Sequence, residues 1–208
     1  VVIIVQSRYV YFQETLVTSS TYSLVDTRIV GSFLGEDALA AVGATSTLSG
    51  LIIGFLLGLS NGFAITYAQK FGAKNIADMK KSFAMSLVIG TGISILFTIA
   101  GLLFLNDLTF LKCAKASGSG GKGYIAIIIA GLLATFLYDA CAATLRAIGD
   151  AVTPLIILAI SVALNIVGDL FFVVVLKTGV KGAAIATVLA QIIAFVICWI
   201  YMIRNMRY

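Results

Sequence analysis

The run LIILAISVALNIVGDLFFVVVL, residues 155–176, decides the fold class of this chain. At about 1.5 Å of rise per residue, a helix of this length crosses the roughly 30 Å of hydrocarbon in a bilayer. Its apolar residues are continuous and do not alternate with polar ones, as they would in a barrel strand. The run therefore predicts a membrane-spanning helix, and its two most polar residues, Asn165 and Asp169, need a reason to lie there.

The composition of the whole chain agrees with this prediction. Of 208 residues, 61% are hydrophobic and only 11% are charged, and the mean hydropathy is +1.10. Such a balance excludes an ordinary soluble domain. Spans are predicted at about 39–67, 83–105, 124–143, 155–176 and 183–203, with a sixth, more polar span at about 9–31. We therefore expect an all-α polytopic membrane protein in which residues 1–208 form a single lobe of six transmembrane helices.

The formal net charge of +5 arises from lysine and arginine residues that lie between or beside the spans. Such residues mark loops at a membrane surface, so nucleic acid is not expected as a partner. With six spans both termini lie on one side, together with eight basic residues against six on the other. The eight are Arg8, Lys70, Lys74, Lys80, Lys81, Arg146, Arg204 and Arg207. This excess predicts cytoplasmic termini in a multi-pass protein of the cell (inner or plasma) membrane.

Nothing in the sequence indicates an enzyme. The cysteines Cys113, Cys141 and Cys198 have no CxxC spacing and the chain contains no histidine, so we expect the cysteines to pack rather than to bind a metal. An intramembrane aspartyl protease would need a GxGD motif, but Ile166 stands where the first glycine before Asp169 should be. A nucleotide-driven pump would need a GxxxxGK[ST] loop, which the sequence lacks. We therefore predict a protein that is not an enzyme.

The candidate functional residues of this sequence are carboxylates that lie within the predicted membrane spans. An ionisable group in hydrocarbon costs at least about 2.5 kcal/mol, so it needs a partner, a water-filled cavity or a bound ion. Three positions stand out: Asp26, Asp139 and Asp169. Ser161 and Asn165 precede Asp169 at intervals of four residues, which places all three on one helical face.

Similar polar stripes occur on two other predicted spans. The first span carries Ser19, Tyr22, Ser23 and Asp26, and the sixth span carries Thr187 and Gln191. Polar stripes on at least three helices indicate an interior cleft that contains water.

The basic residues nearest to Asp139 and Asp169 in the sequence differ in whether they can neutralise the carboxylate. Arg146 lies two turns from Asp139 on the same helical face, which predicts either a structural ion pair or a functional role. Lys177 is the next basic residue after Asp169 and lies near the predicted membrane surface. Asp169 would then take up a proton, or bind a small cation with Asn165 and hydroxyl groups as further oxygen ligands. The alternative is a protonated, hydrogen-bonded Asp169 that only holds helices together.

Five stretches of the sequence form a recognisable series. They are YSLVDTRIVGSFLGEDALAAVG (22–43), AQKFGA (68–73), YDACAATLRAIGDAVTPL (138–155), LNIVGDLFF (164–172) and GVKGAAIATVLAQ (179–191). In this order they resemble the amino-terminal lobe of the multidrug and toxin compound extrusion (MATE) transporters, over about residues 20–205. The resemblance implies one six-helix lobe of a transporter that usually has two, with a central cleft between them.

The resemblance also implies an antiporter without a cofactor, which lies in membrane lipid and exchanges Na⁺ or H⁺ for bulky, mostly cationic organic compounds. The family's cation site falls on Asp26, Asn165, Asp169 and Thr187, and a further helix-four position, commonly Asn in the family, falls on Asp139. If the coupling ion is Na⁺, Asp26 and Asp169 are the implied metal ligands. The residues expected to line the cleft are Ser19, Tyr22, Ser23, Ser161 and Gln191.

One lobe supplies only one wall of such a cleft, so a second lobe or a second copy of the chain is an implied partner. We predict a cation-coupled (H⁺ or Na⁺) antiporter that exports organic, mostly cationic compounds, or one half of it. Two alternatives remain. One is a non-transporting fragment or assembly subunit of such a transporter, and the other is a lipid-linked sugar flippase of the same superfamily, for which a more basic cleft is expected.

Overall fold

The computed structural model describes residue 31, residues 36–103 and residues 119–205. These segments are helical with short connections, and no strand occurs among them. The predicted all-α membrane fold is therefore confirmed. The predicted first span, 9–31, lies outside the described residues apart from its last position. The roles of Ser19, Tyr22, Ser23 and Asp26 accordingly stay predictions.

Six α-helices and one π-helical turn make up the described part of the chain. The helices are α1 (Glu36–Gly72), α2 (Ile76–Leu103), α3 (Ser119–Ala130), α4 (Leu132–Ala147), α5 (Val152–Asp169) and α6 (Val180–Asn205), and the π-helical turn is Leu170–Val175. Within the described residues, four stretches are long and apolar enough to cross a membrane. Helices α3 and α4 together give a fifth, bent by 41°.

The fourth predicted span is not one straight helix. Its predicted range, 124–143, is interrupted at Gly131, where α3 and α4 meet. The Gly131 N–H bonds to the carbonyl oxygens of both Ile127 and Ile128, at 2.9 and 3.1 Å, as in a tightened helix end. A Cβ atom at this position would overlap the side chain of Val188 in α6. The break therefore lies where the backbone of Gly131 approaches α6 too closely for a larger residue.

The helix that leads into this span begins at Ser119, before the predicted start of the span at about residue 124. Residues 115–123, KASGSGGKG, predict a flexible exposed loop because glycine and serine dominate them. The prediction is wrong for residues 119–123, since α3 begins at Ser119. A Cβ atom at Gly123 would overlap the side chain of Lys181 in α6. Packing of α3 on α6 thus overrides the low helix propensity of glycine.

Helix α4 lies at the centre of the described helices. Helix α6 packs along α3, α4 and α5, and α1 packs along α2, α3 and α4. Small residues allow α5 and α6 to approach closely, because an added Cβ atom at Gly168 of α5 would lie 2.9 Å from the Cβ atom of Ala186. The buried alanines of α6 are Ala183, Ala184, Ala186, Ala190 and Ala194. The two helices that carry the predicted polar residues are therefore in tight contact.

Apolar residues of α4 pack against α1 and α2 on one side and against α6 on another. On one side, Phe136 is fully buried and packs with Leu56 of α1. Gly90 of α2 lies against the Phe136 ring, and a Cβ atom at Gly90 would overlap that ring. On another side, Leu145 packs against Met202 of α6. These contacts fix the position of α4 between α1 and α6.

The glycine stripe of α1 faces away from the other described helices. The four-residue spacing of Gly54, Gly58 and Gly62 predicts close packing on a neighbouring helix. All three are exposed, and no described atom lies within 4 Å of where their Cβ atoms would be. The predicted packing is therefore wrong for the described helices. Leu56 and Ala64 provide the face of α1 that packs on α4.

Candidate ion and substrate site

The polar face of α5 is buried in the lobe. Ser161, Asn165 and Asp169 are 3%, 1% and 0% exposed, whereas Val167 on another face of the same helix is 65% exposed. Their four-residue spacing places the three side chains in one row, and apolar residues occupy the remaining surface. Three residues of the predicted site thus share one buried face.

Hydrogen bonds tie this face to α6. Ser161 Oγ donates to the carbonyl oxygen of Ala190 at 3.3 Å, and Asn165 Nδ2 donates to Thr187 Oγ1 at 3.2 Å. Thr187 Oγ1 donates in turn to the carbonyl oxygen of Ala183, one turn earlier in α6, at 2.9 Å. The structure therefore brings together Asn165 and Thr187, which the family resemblance had placed in one site.

Asp169 is the last residue of α5 and borders the π-helical turn. In this turn the Leu176 N–H bonds to the carbonyl oxygen of Phe171, five residues earlier, at 3.0 Å. π-Helical turns are rare and occur frequently at functional sites. The hydrophobic run 170–176 gives no sign of this turn in the sequence. The fully buried carboxyl group of Asp169 therefore lies at a change in helix geometry that periodicity could not predict.

Gln191 follows Thr187 by one turn in α6. Its Oε1 atom is buried, and no described residue donates a hydrogen bond to it. Ser60 Oγ, on α1, is buried in the same way without a hydrogen-bond partner among the described residues. Buried polar atoms are usually satisfied, so each of these two oxygen atoms calls for an explanation.

Asp139 and Arg146 lie on α4 and are both partly buried. Arg146 attracts the Asp139 carboxylate electrostatically, but the two side chains form neither a hydrogen bond nor an ion pair. Two helical turns separate them by about 10.5 Å along the axis, which explains the missing contact. The predicted structural ion pair is therefore wrong. Asp139 also forms no hydrogen bond with the described residues of α5 or α6, so its place in the site stays a prediction.

The described part of the site offers oxygen ligands. Asp169, Asn165 and Thr187 contribute carboxyl, amide and hydroxyl groups, which are hard ligands that suit a proton or a small hard cation. Among the described residues, no group of three or more His, Cys, Asp or Glu side chains could hold a metal ion. Asp169, Asn165 and Thr187 are therefore the oxygen-bearing side chains that α5 and α6 contribute to the predicted cation site.

Cys141 of α4 and Cys198 of α6 are fully buried in the same part of the core. They lie in the apolar cluster that also contains Leu145 and Met202. The predicted packing role is confirmed for these two cysteines, whereas Cys113 lies outside the described residues. Their shared place in the core could not be predicted, because their spacing in the sequence carries no motif.

Asp150, in the connection between α4 and α5, is a structural residue that the sequence analysis missed. Its Oδ1 accepts a hydrogen bond from the Thr153 N–H at 3.1 Å, and its Oδ2 accepts one from the Tyr201 hydroxyl of α6 at 2.9 Å. Partial burial raises the pKa of Asp150, but the hydrogen bonds from Thr153 and Tyr201 outweigh this effect. The pKa lies below its ordinary value of 3.8. An Asp just before a predicted helix is an N-cap signal that could have identified it.

A family model described as MatE matches residues 15–171 of the chain. Because this match covers more than half of the sequence, the chain belongs to the MatE family, the multidrug and toxin compound extrusion transporters. The resemblance seen in the sequence is therefore confirmed.

Curated relatives and solved structures agree with this assignment. "Probable multidrug resistance protein YpnP" of Bacillus subtilis (strain 168) is 34% identical over 187 residues, which is 89% of this chain and 42% of that protein. "Probable multidrug resistance protein YoeA" of the same organism is 31% identical over 193 residues, 89% of this chain and 41% of that protein. The outward-facing conformation of a multidrug resistance MATE family transporter of the MOP superfamily matches with a TM-score of 0.81 and 26% identity. That match covers 91% of this chain and 43% of the other. The chain therefore spans 36–42% of the length of the curated relatives it matches.

Proposed function

We propose that this chain is one lobe of an antiporter that exports organic, mostly cationic compounds in exchange for H⁺ or Na⁺. The observation that carries the proposal is the buried row of Ser161, Asn165 and Asp169 on α5, joined through Asn165 to Thr187 of α6. A fully buried carboxyl group beside amide and hydroxyl groups can change its charge when a small cation enters or leaves. The names of the relatives as probable multidrug resistance proteins support organic compounds as substrates.

In the proposed mechanism, the small cation and the exported compound compete for the same negative charge. An ionised Asp169 attracts an organic cation in the cleft, and the low dielectric of the surroundings strengthens this attraction. When H⁺ or Na⁺ neutralises the carboxylate, the attraction weakens and the compound is released. Asp26 of the predicted first span shares this task, and Asp139 of α4 adds a third carboxylate. Asn165 and Thr187 act as neutral oxygen-bearing groups that hold the small cation near Asp169.

The proposal also requires a second lobe to form the other wall of the cleft. The chain spans 36–42% of the relatives' length, so a second lobe or a second copy of this chain completes the proposed transporter. The completed protein lies in a cell (inner or plasma) membrane with the termini of this lobe in the cytoplasm. The basic residues Lys70, Lys74, Lys80 and Lys81 near the connection between α1 and α2 support this orientation.

Efflux of ethidium from proteoliposomes that contain the full chain tests the proposal, with a Na⁺ gradient and a pH gradient imposed separately. We expect Asp169→Asn to lose ion-driven efflux, because the amide keeps the size of the side chain but cannot change its charge. Val167→Ala, on the exposed face of α5, is the matched control and should transport like the unchanged chain. Thermal unfolding in detergent checks that each variant is folded.

Unaltered coupling in Asp169→Asn would reject the mechanism. The size of the particle in lipid nanodiscs separates the half-transporter from its alternatives, since a stable dimer that transports supports the proposal. A monomer without efflux favours the non-transporting fragment or assembly subunit. Movement of a lipid-linked sugar in place of ethidium favours the flippase.

A further inference from the structure

The proposed mechanism gives no role to Gln191, a polar residue of α6. It follows Thr187 by four residues, so the two side chains share one face of α6, one turn apart. Thr187 accepts the hydrogen bond from Asn165 of α5. The Oε1 atom of Gln191 is buried, and the described residues offer it no donor. A buried amide oxygen therefore lies one turn from the α5–α6 hydrogen bond of the candidate site.

The chemistry of this oxygen limits what can satisfy it. An amide oxygen has two lone pairs and a partial negative charge, so a bare cation can take the place of an N–H donor. A buried carboxyl group can take up a proton near neutral pH, whereas an amide oxygen cannot. The group is therefore suited to Na⁺ coordination and unsuited to proton storage.

We propose that Gln191 Oε1 is a ligand for Na⁺ and that it extends the oxygen set of Asn165, Asp169 and Thr187. The inference rests on the proposed function and narrows it, because it makes Na⁺ the coupling ion. Gln191 adds a ligand without adding charge. Asp169 is the only charged member of this set, so one Na⁺ neutralises the four side chains together.

Calorimetric titration of the purified full chain in lipid nanodiscs with NaCl tests the inference, with choline chloride keeping the ionic strength constant. Gln191→Met keeps the approximate length of the side chain and removes the amide oxygen. We expect it to weaken Na⁺ binding by about 10-fold or more, the loss typical of one interaction with a charged group. Gln191→Glu keeps an oxygen at this position, so we expect it to bind Na⁺ at least as tightly as the unchanged chain.

Ser60→Ala is the matched control for Gln191→Met. Ser60 Oγ is also buried without a hydrogen-bond partner among the described residues, but it lies on α1, which packs on α2, α3 and α4. We expect Ser60→Ala to leave Na⁺ binding unchanged. Thermal unfolding of both variants in nanodiscs checks that each remains folded at the temperature of the titration.

Asp169→Asn separates this inference from the proposed function. Loss of Na⁺ binding in both Asp169→Asn and Gln191→Met supports the inference. If Asp169→Asn loses Na⁺ binding while Gln191→Met binds like Ser60→Ala, the role of Gln191 is overturned and the proposed function stands. If the unchanged chain binds no Na⁺ but shows proton-driven efflux that Asp169→Asn abolishes, the Na⁺ site is overturned and antiport with H⁺ stands. If neither variant changes binding or efflux, both proposals fail.

Discussion

Asn165 of α5 and Thr187 of α6 are joined by a hydrogen bond of 3.2 Å from Nδ2 to Oγ1, although they lie 22 positions apart in the sequence. Thr187 directs its own proton to the carbonyl oxygen of Ala183, so its hydroxyl group is oriented within its own helix. The pair therefore fixes how α5 and α6 face each other at the candidate site.

Removal of the Thr187 hydroxyl tests how much this bond stabilises the lobe. Thr187→Val keeps the shape of the side chain, and we expect the free energy of unfolding to fall by about 1 kcal/mol, the scale of an interhelical hydrogen bond in a membrane. Unfolding by SDS in mixed micelles measures this loss. Thr187→Ser retains the hydroxyl and should retain most of the stability. A loss of stability in Thr187→Ser without one in Thr187→Val would instead attribute the effect to packing of the methyl group.

The contact between Gly90 and Phe136 predicts a steric effect. Gly90→Ala places a Cβ atom within the Phe136 ring, and the expected loss of stability is about 1–3 kcal/mol. Gly92→Ala is the control, because Gly92 is exposed on the same helix with no described atom within 4 Å of its Cβ position. We expect that variant to match the unchanged chain, or to gain up to about 1 kcal/mol from helix propensity. Thermal unfolding in detergent compares the two, and equal midpoints would contradict this prediction.

Asp150 predicts a pH-dependent contribution to stability. Its pKa in the folded chain lies below the ordinary value of 3.8, so its stabilising effect is present above about pH 4. The effect is lost as the pH falls through the lower, folded pKa. Because the group is partly exposed, we expect Asp150→Asn to cost only about 0.5 kcal/mol at about pH 7. The difference between Asp150→Asn and the unchanged chain should shrink when unfolding is measured towards about pH 3.

Tyr201→Phe serves as the comparison for this titration. It removes only the hydrogen bond to Asp150 Oδ2 and leaves the one from Thr153 to Oδ1. We expect a smaller cost than in Asp150→Asn, with the same direction of pH dependence. A gap between Asp150→Asn and the unchanged chain that stays constant down to about pH 3 would show that the charge of Asp150 does not contribute.

The buried thiols of Cys141 and Cys198 predict slow labelling. In a Cys113→Ser background, we expect neither to react with a polar maleimide while the chain is folded, because both are 0% exposed. Both should react once SDS unfolds the chain. Lys74→Cys in the same background is the positive control, since Lys74 is exposed in the connection between α1 and α2. Rapid labelling of Cys141 or Cys198 in the folded chain would contradict their place in the core.

Spacing within one helix was the most informative feature of the sequence. The intervals of four residues from Ser161 to Asp169 correctly predicted a shared face, because a helix fixes the directions of its own side chains. Which helix covers that face depends on contacts between distant segments. The pairing of Asn165 with Thr187 was therefore reached through the family resemblance and not through periodicity.

The same limit explains the predictions that failed. The stripe of Gly58 and its neighbours was read correctly as one face of α1, but the sequence did not tell whether that face meets another helix. The break at Gly131 depends on the approach of Val188 from α6, and hydropathy along the chain contains no record of that contact. The sequence predicted Gln191 as a cleft residue, but only the structure shows that no described residue donates a hydrogen bond to its Oε1 atom.

The polarity of the buried face changes where α5 ends at Asp169 and the π-helical turn begins. Oxygen-bearing side chains follow the helix as far as Asp169, and one turn later the buried Val173 packs with Tyr124 and Ala183 in an apolar cluster. Apolar side chains therefore follow the Asp169 carboxyl group on the side of Leu170–Val175. If Asp169 binds an ion as proposed, the apolar cluster leaves the side of Ser161 as the polar route by which that ion enters and leaves.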